Sequence, residues 1–82
     1  MTIANNFILN FLENSPNKTA GEIWNKIKDI KHEKPSLYKL LKALLPEEDQ
    51  SIRKILTDFE YRGIVKHQIR YKSILKEWSL AE

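Results

Sequence analysis

Apolar residues recur with helical spacing in four segments of the chain, and the last of these is the most regular. Ile52, Ile55, Leu56 and Phe59 fall at positions i, i+3, i+4 and i+7, the spacing of one buried helix stripe. At about 100° per residue, the opposite side carries Gln50, Arg53, Lys54, Thr57 and Tyr61. Gly63 follows where a left-handed residue commonly ends a helix. The pattern predicts a helix over about 50–62.

Two runs with rough alternation of apolar and polar residues follow, at 64–70 and 74–80, and they predict a β-hairpin. The expected cross-strand pairs are Val65 with Trp78, Ile69 with Ile74, and Lys66 with Glu77. The apolar pairs, together with Leu80, would form a buried face under the helices. The tip would present Arg70, Tyr71, Lys72 and Ser73 to solvent.

The first helix is predicted over 3–13 and ends at a run of turn-forming residues, 14–17. Its expected buried positions are Ile3, Phe7, Ile8, Phe11 and Leu12. Leu9 would lie near the solvent-facing asparagines.

The second helix has the clearest start in the sequence. Thr19-Ala20-Gly21-Glu22 is a capping box, in which the Thr19 hydroxyl and the Glu22 carboxylate each accept a hydrogen bond from the other residue's amide. Its expected buried stripe is Ala20, Ile23, Trp24, Ile27 and Ile30.

A charged connector leads to a third helix, which Pro35 and Ser36 open and Pro46 closes. Its leucines step with the same spacing as the fourth segment: Leu37, Leu40, Leu41 and Leu44. The connection 46–49 that follows has the length expected of the turn in a helix-turn-helix unit.

The composition is that of one folded domain over residues 1–82, with 41% hydrophobic and 30% charged residues. There is no cysteine, and the two histidines lack the spacing of a zinc site, so no metal or other cofactor is expected. No membrane span or signal peptide is recognisable, which makes a cytoplasmic protein the default expectation. The only two glycines, Gly21 and Gly63, exclude a glycine-rich phosphate loop. Neither catalysis nor a small-molecule ligand is predicted.

Charge is distributed unevenly along the chain. The net charge is +3, but residues 62–76 hold five Lys or Arg and no acid. One interpretation is a hairpin whose cations lie along DNA phosphates. The other is a solvated edge hairpin that uses its cations against aggregation.

The helix, glycine and basic hairpin together resemble the C-terminal half of a winged helix-turn-helix domain. The resemblance is carried by Ser51-Ile52-Arg53-Lys54-Ile55-Leu56 with Phe59, by Arg62-Gly63-Ile64-Val65, and by Glu77-Trp78-Ser79-Leu80. It implies an α+β fold in which helix 50–62 is a recognition helix and hairpin 64–80 is the wing. It also implies a sequence-specific regulator of transcription that binds double-stranded DNA, often as a homodimer that matches a two-fold operator.

Site residues follow from this resemblance. The recognition helix would contribute Gln50, Arg53, Lys54, Thr57 and Tyr61, and the wing would contribute Lys66, Arg70, Tyr71, Lys72 and Ser73. Arg and Gln can address guanine and adenine edges, although the same helix face is also compatible with an ordinary solvated surface. Glu47, Glu48 and Asp49 lie at the end of the helix that would face DNA. The acids suit the helix dipole, but they also keep open a winged helix that binds protein within a larger assembly.

Overall fold

Four α-helices lead into a two-stranded antiparallel hairpin in the computed structural model, which describes residues 2–70 and 74–81. The elements are α1 (Ile3–Asn14), α2 (Ala20–Asp29), α3 (Pro35–Leu44), α4 (Asp49–Tyr61), β1 (Val65–Ile69) and β2 (Lys76–Leu80). This order confirms the predicted α+β class. The predicted turn 71–73 lies outside the described residues.

The capping box at the start of α2 is confirmed. The Thr19 hydroxyl accepts a hydrogen bond from the Glu22 amide at 3.1 Å, and the Glu22 carboxylate accepts one from the Thr19 amide at 2.9 Å. The whole predicted stripe of α2 is buried: Ala20, Ile23, Trp24, Ile27 and Ile30. A cap that begins the helix at one defined residue also determines which side chains face the core.

The fourth helix also forms as predicted. Ile52, Leu56 and Phe59 are buried, and the five polar and aromatic residues predicted on the opposite face are exposed. Gly63 has a φ of +78°, the left-handed conformation expected after the helix. At the other end, the buried Ser51 hydroxyl accepts a hydrogen bond from the Glu47 amide at 2.9 Å, which fixes the chain entering the helix.

The central pair of helices is α2 and α4, which differs from the prediction. The short connection between α3 and α4 exists, but α4 packs most extensively against α2, while α3 packs against α1 and α2. The reason lies in the apolar surfaces, because α2 offers a continuous buried stripe whereas α3 buries only Leu41 among its own residues. The helix-turn-helix pairing predicted for α3 and α4 is therefore wrong.

The buried face of α3 is rotated from the predicted one. Leu40 and Leu44 are 50% and 45% exposed, whereas Leu41 and Leu45 are buried and Leu37 is half-buried against the core. Successive residues of a helix differ by about 100°, so burying Leu45, just past the helix end, turns Leu44 outward. The prediction that Leu40 and Leu44 are core residues is wrong.

In α1, Ile8 and Leu12 are buried as predicted, but Ile3 is 47% exposed and Ala4 takes the buried position beside it. Phe7, Phe11 and Leu9 are each half-buried against the core. The prediction that Leu9 lies on the solvent side is therefore wrong. Spacing alone does not reveal Ala4, because it does not distinguish a small core residue from a surface one.

The hairpin register is two residues away from the predicted one. Val65 pairs with Leu80 rather than with Trp78, and His67 is the residue that pairs with Trp78. The other predicted pairs also change, because Lys66 lies opposite Ser79, Gln68 opposite Glu77, and Ile69 opposite Lys76. A shift of two leaves every side chain on the same face of its strand, so the apolar pattern alone could not distinguish the two registers.

The loss of the predicted Ile69–Ile74 pair leaves both side chains exposed, at 55% and 94%. Val65 and Trp78 remain in the core, and Leu80 is half-buried. The buried apolar face of the hairpin is therefore confined to Val65, Trp78 and Leu80, whereas Ile69 and Ile74 are open to solvent.

A residue outside the hairpin holds β2 from its other edge. The Trp78 amide donates to the Lys18 carbonyl at 2.8 Å, and the Lys18 amide donates to the Trp78 carbonyl at 3.1 Å. Lys18 immediately precedes the cap of α2. The register of β2 is thus set by contacts with the segment between α1 and α2 as well as by its partner strand.

We expect Trp78→Ala to lower the free energy of unfolding by about 3–5 kcal/mol, because a side chain that is 2% exposed leaves a cavity under the helices. Chemical denaturation measures the loss. Ile74→Ala is the matched control, since its side chain is 94% exposed and its removal should change stability by less than about 0.5 kcal/mol. Equal effects of the two substitutions would contradict the packing described.

Thr19→Ala should cost about 1 kcal/mol, because the hydroxyl caps α2. Thr57→Ala makes the same chemical change on the exposed face of α4 and should not destabilise the protein, since alanine is the better helix former. Thermal unfolding of both variants checks this. A Thr19→Ala variant that unfolds with wild-type stability would show that the cap contributes nothing.

Candidate functional site

A groove of about 480 Å³ separates the start of α2, the exposed side of α4 and the beginning of β2. We call it the α2–α4 groove, and it is lined by residues 19–21, Asp49, Arg53, Thr57, residues 74–76 and Trp78. Three separate elements therefore contribute to one concave surface. Of the predicted recognition-helix residues, the fold brings Arg53 and Thr57 into this groove, while Gln50, Lys54 and Tyr61 are exposed on α4 outside its lining.

The cations of α4 are compensated by the acids at its start. The Arg53 guanidinium lies 3.3 Å from the Asp49 carboxylate, and the Lys54 ammonium lies 2.7 Å from the Glu47 carboxylate. All four side chains are more than a third exposed. Exposed pairs of this kind contribute only about 0–1 kcal/mol each, so an incoming anion can compete for these cations.

Arg70 does not extend from the hairpin tip as predicted. Its Nε donates to the Glu77 carboxylate at 2.6 Å, and its terminal nitrogen donates to the Glu22 carboxylate, also at 2.6 Å. One partner lies on β2 and the other in the first turn of α2. The guanidinium thus connects the end of β1 to the helix that lies beside it in the fold.

The same contacts shift the pKa values of Glu22 and Arg70. Hydrogen bonding from the Thr19 amide, followed by contact with Arg70, holds the pKa of Glu22 below its ordinary value of 4.5 against the opposing effect of partial burial. Hydrogen bonds to Glu77 and then Glu22 raise the pKa of Arg70. Glu22 therefore serves both the cap of α2 and the connection to the hairpin.

A second connection joins the hairpin to α4. The His67 Nδ1 contacts the Glu60 carboxylate, and the imidazole ring lies 5.3 Å from the Trp78 ring, measured between centroids. His67 is the residue paired with Trp78 across the hairpin. It thus helps to attach β1 to α4.

Of the other predicted wing residues, one lies on a second surface and three are outside the described residues. Lys66 lines a different groove, with Asn17 and Ser79, and does not join the face of α4. Tyr71, Lys72 and Ser73 lie outside the described residues.

Two contributors to the α2–α4 groove were missed from the sequence. Lys76 lines it, with its ammonium 5.7 Å from the centroid of the Trp78 ring. Alternation along β2 was the available signal, because Lys76 is two residues from the buried Trp78 and so shares its face. The other contributor is the first turn of α2, where Ala20 and Gly21 line the groove and their amides have no hydrogen-bond partner among the described residues. The capping box signalled this, since it satisfies only part of a helix's free first-turn donors.

The described part of the chain contains no group of three or more His, Cys, Asp or Glu side chains placed to hold a metal ion. None of the described helices is long and apolar enough to cross a membrane. Family models, curated proteins and solved structures gave no match to this chain. What the groove can bind is therefore inferred from its own donors, cations and shape.

Glu22→Gln should make the unfolding free energy less dependent on pH in the acid range. Because the folded pKa of Glu22 lies below 4.5, its ionised form stabilises the fold above that pH, and this contribution is lost as the pH falls through the folded value. At pH 7 the variant should unfold at a lower denaturant concentration than wild type. This difference in unfolding midpoint should disappear as the pH falls below 4.5.

Glu33→Gln is the control, because Glu33 is exposed and forms no ion pair among the described residues. A difference in unfolding midpoint between wild type and Glu22→Gln that stays constant at every acid pH would contradict the role of the charge at Glu22.

Proposed function

We propose that this chain is a winged helix-turn-helix domain that binds double-stranded DNA and regulates transcription. The helix α4 would enter the major groove, and the hairpin would act as the wing. The observation that carries the proposal is the α2–α4 groove, where Arg53, Thr57, Lys76 and the first residues of α2 line one concave surface.

The order of elements supports this assignment at the level of fold. A helix precedes Lys18, and the central pair α2 and α4 is followed by a hairpin whose second strand forms an isolated bridge with that residue. In this proposal α2 and α4 are the two helices of the helix-turn-helix, and α3 is an additional helix placed between them. The residue-class resemblance over the C-terminal part of the chain agrees with α4 as the recognition helix.

The chemistry of the groove suits a phosphate backbone next to base edges. Free amides at the start of a helix bind anions, because the donors and the helix dipole act in the same direction. The Lys76 ammonium lies on the same groove and can take a neighbouring phosphate. Arg53, released from Asp49, has the planar fork that pairs with the guanine edge.

A specific observation favours a second candidate, a winged helix that binds protein. Ile74 and Leu75, 94% and 44% exposed, lie at the same groove, and Asp49 adds an acid to its lining. An apolar strip beside an acid is also typical of a surface for a protein partner. Binding to duplex DNA separates the two candidates, because a phosphate-binding groove loses affinity steeply as salt is raised.

The decisive experiment is a duplex titration by fluorescence anisotropy at two salt concentrations, using a sequence selected from a randomised pool and a scrambled control. Arg53→Ala should cost about 1–3 kcal/mol on the selected sequence and relax discrimination at one base position. Lys76→Ala should weaken binding to both duplexes similarly and reduce the magnitude of the salt slope by about one unit.

Lys26→Ala is the control, because it removes one charge from an exposed position of α2 outside the groove lining. It should leave the affinity and the salt slope nearly unchanged. Wild-type binding by both Arg53→Ala and Lys76→Ala would exclude the α2–α4 groove as the DNA surface. A wild-type protein that binds no duplex would favour the protein-binding candidate.

A further inference from the structure

The helix α3 and the connector before it carry a cationic surface that lies apart from the α2–α4 groove. Its members, which we call the lysine surface, are Lys31, Lys34, Lys39 and Lys42, and all four are exposed. No acidic residue occurs from position 34 to position 46. The exposed surface of α3 thus carries Lys39 and Lys42, beside the exposed Leu40 and Leu44, without the acids that usually accompany lysines on a solvated helix.

The net charge of the chain is located in this segment. Residues 31–45 contain four lysines and one acid, Glu33, which makes +3, and the whole chain is also +3. The remaining residues hold ten basic and ten acidic side chains and are balanced. The basic hairpin, which dominates the sequence when read locally, is offset by the acids around α4.

The ion pairs among described residues involve the arginines and not the lysine surface. Within residues 2–70 and 74–81, each of the three arginines has a carboxylate within 4 Å, and so does Lys54. In the same part of the chain, no carboxylate lies that close to any member of the lysine surface, although Asp29 and Glu33 are near in sequence. The lysine surface therefore offers ammonium groups without a competing internal partner.

A half-buried tyrosine gathers two of these ammonium groups. The Lys31 Nζ lies 5.8 Å from the centroid of the Tyr38 ring, and the Lys42 Nζ lies 5.9 Å from it. Attraction to the ring holds each cation at an exposed site by about 0.5–1 kcal/mol. Two like charges collected at one ring, with no carboxylate between them, form a favourable place for a phosphate.

The position of α3 relates this surface to the proposed DNA site. The helix ends at Leu44 and the chain enters α4 at Asp49 after a short connection, so α3 leads directly to the end of α4 that would face DNA. Duplex DNA carries one charge per about 1.7 Å of its axis, so a duplex on α4 presents further phosphates beyond that helix.

We propose that the lysine surface binds phosphates of the DNA that flank the segment held in the α2–α4 groove. That the ligand is DNA rests on the proposed function, whereas the choice of binding residues rests on the lysine surface alone. In this proposal α3, the helix between α2 and α4, contributes binding affinity that does not depend on the DNA sequence. Arg53 would supply the sequence preference.

The test compares the double variant Lys31→Ala/Lys42→Ala with wild type. Binding is measured on the selected and scrambled duplexes at several salt concentrations. The magnitude of the salt slope should fall by up to about two units, equally for both sequences, since each phosphate contact contributes about 0.9. Lys31→Arg with Lys42→Arg keeps both charges and should keep the wild-type slope. Lys26→Ala with Lys28→Ala removes the same charge from α2 and should leave the slope nearly unchanged.

The outcomes separate this inference from the proposed function. A wild-type slope in the Lys31/Lys42 alanine variant, or an equal loss in the Lys26/Lys28 variant, overturns the lysine surface and leaves the α2–α4 groove in place. A reduced slope in the Lys31/Lys42 alanine variant, with wild-type binding by Arg53→Ala and Lys76→Ala, excludes the groove and the flanking arrangement and leaves the lysine surface as a phosphate-binding site by itself. If the wild-type protein binds no duplex, both fail, and retention on phosphatidylserine vesicles would assign the lysines to a membrane surface instead.

Discussion

The burial of Trp78 is the constraint on which the rest of the structure depends. Its ring is 2% exposed beneath the helices, while its backbone pairs with His67 on one side and with Lys18 on the other. One residue therefore joins the hairpin, the segment before α2 and the core. Because Lys18 directly precedes the Thr19 cap, the position of α2 and the position of the hairpin are set together. The α2–α4 groove exists because these elements are held at that junction.

Two sets of side-chain contacts complete the attachment of the hairpin, and one of them uses Arg70, which the sequence predicts to be a DNA-binding residue. Arg70 joins Glu22 and Glu77, and His67 contacts Glu60. Arg70 ties the hairpin to α2 and His67 ties it to α4, so the hairpin is fixed to both central helices. The consequence for the proposed function is that hairpin cations are divided, with Arg70 used in the fold and Lys76 left at the groove.

The contacts within the fold decide which cations remain available to a ligand. Among the described residues the three arginines lie in compensated pairs, whereas residues 31–45, with four unpaired lysines and one acid, carry a net charge of +3. Long-range attraction of a polyanion depends on net charge, and close recognition depends on the few groups that can exchange partners at the contact. In the proposed complex these two tasks belong to different elements, α3 for attraction and α4 for recognition.

Local features of this protein could be predicted from the sequence because their causes are local. The capping box at Thr19, the stripe of α4 and the left-handed Gly63 each depend on residues within a few positions, and all three are confirmed. The exposed face of α4 follows from that stripe. The sequence alone was therefore sufficient to group Arg53 and Thr57 on one side of the helix.

What only the tertiary structure decided involves residues far apart in the chain. The hairpin register depends on Lys18, about 60 residues from its partner Trp78 and invisible to any alternation pattern. The choice of α2 as the partner of α4, and of Leu45 over Leu44 in the core, follows from which apolar surfaces fit together in three dimensions. Arg70 meets Glu22 across 48 positions, so its use in the fold could not be inferred from an acid-free neighbourhood. Helix and cap signals act over single turns, whereas register, helix pairing and ion-pair partners are settled by packing of the whole chain.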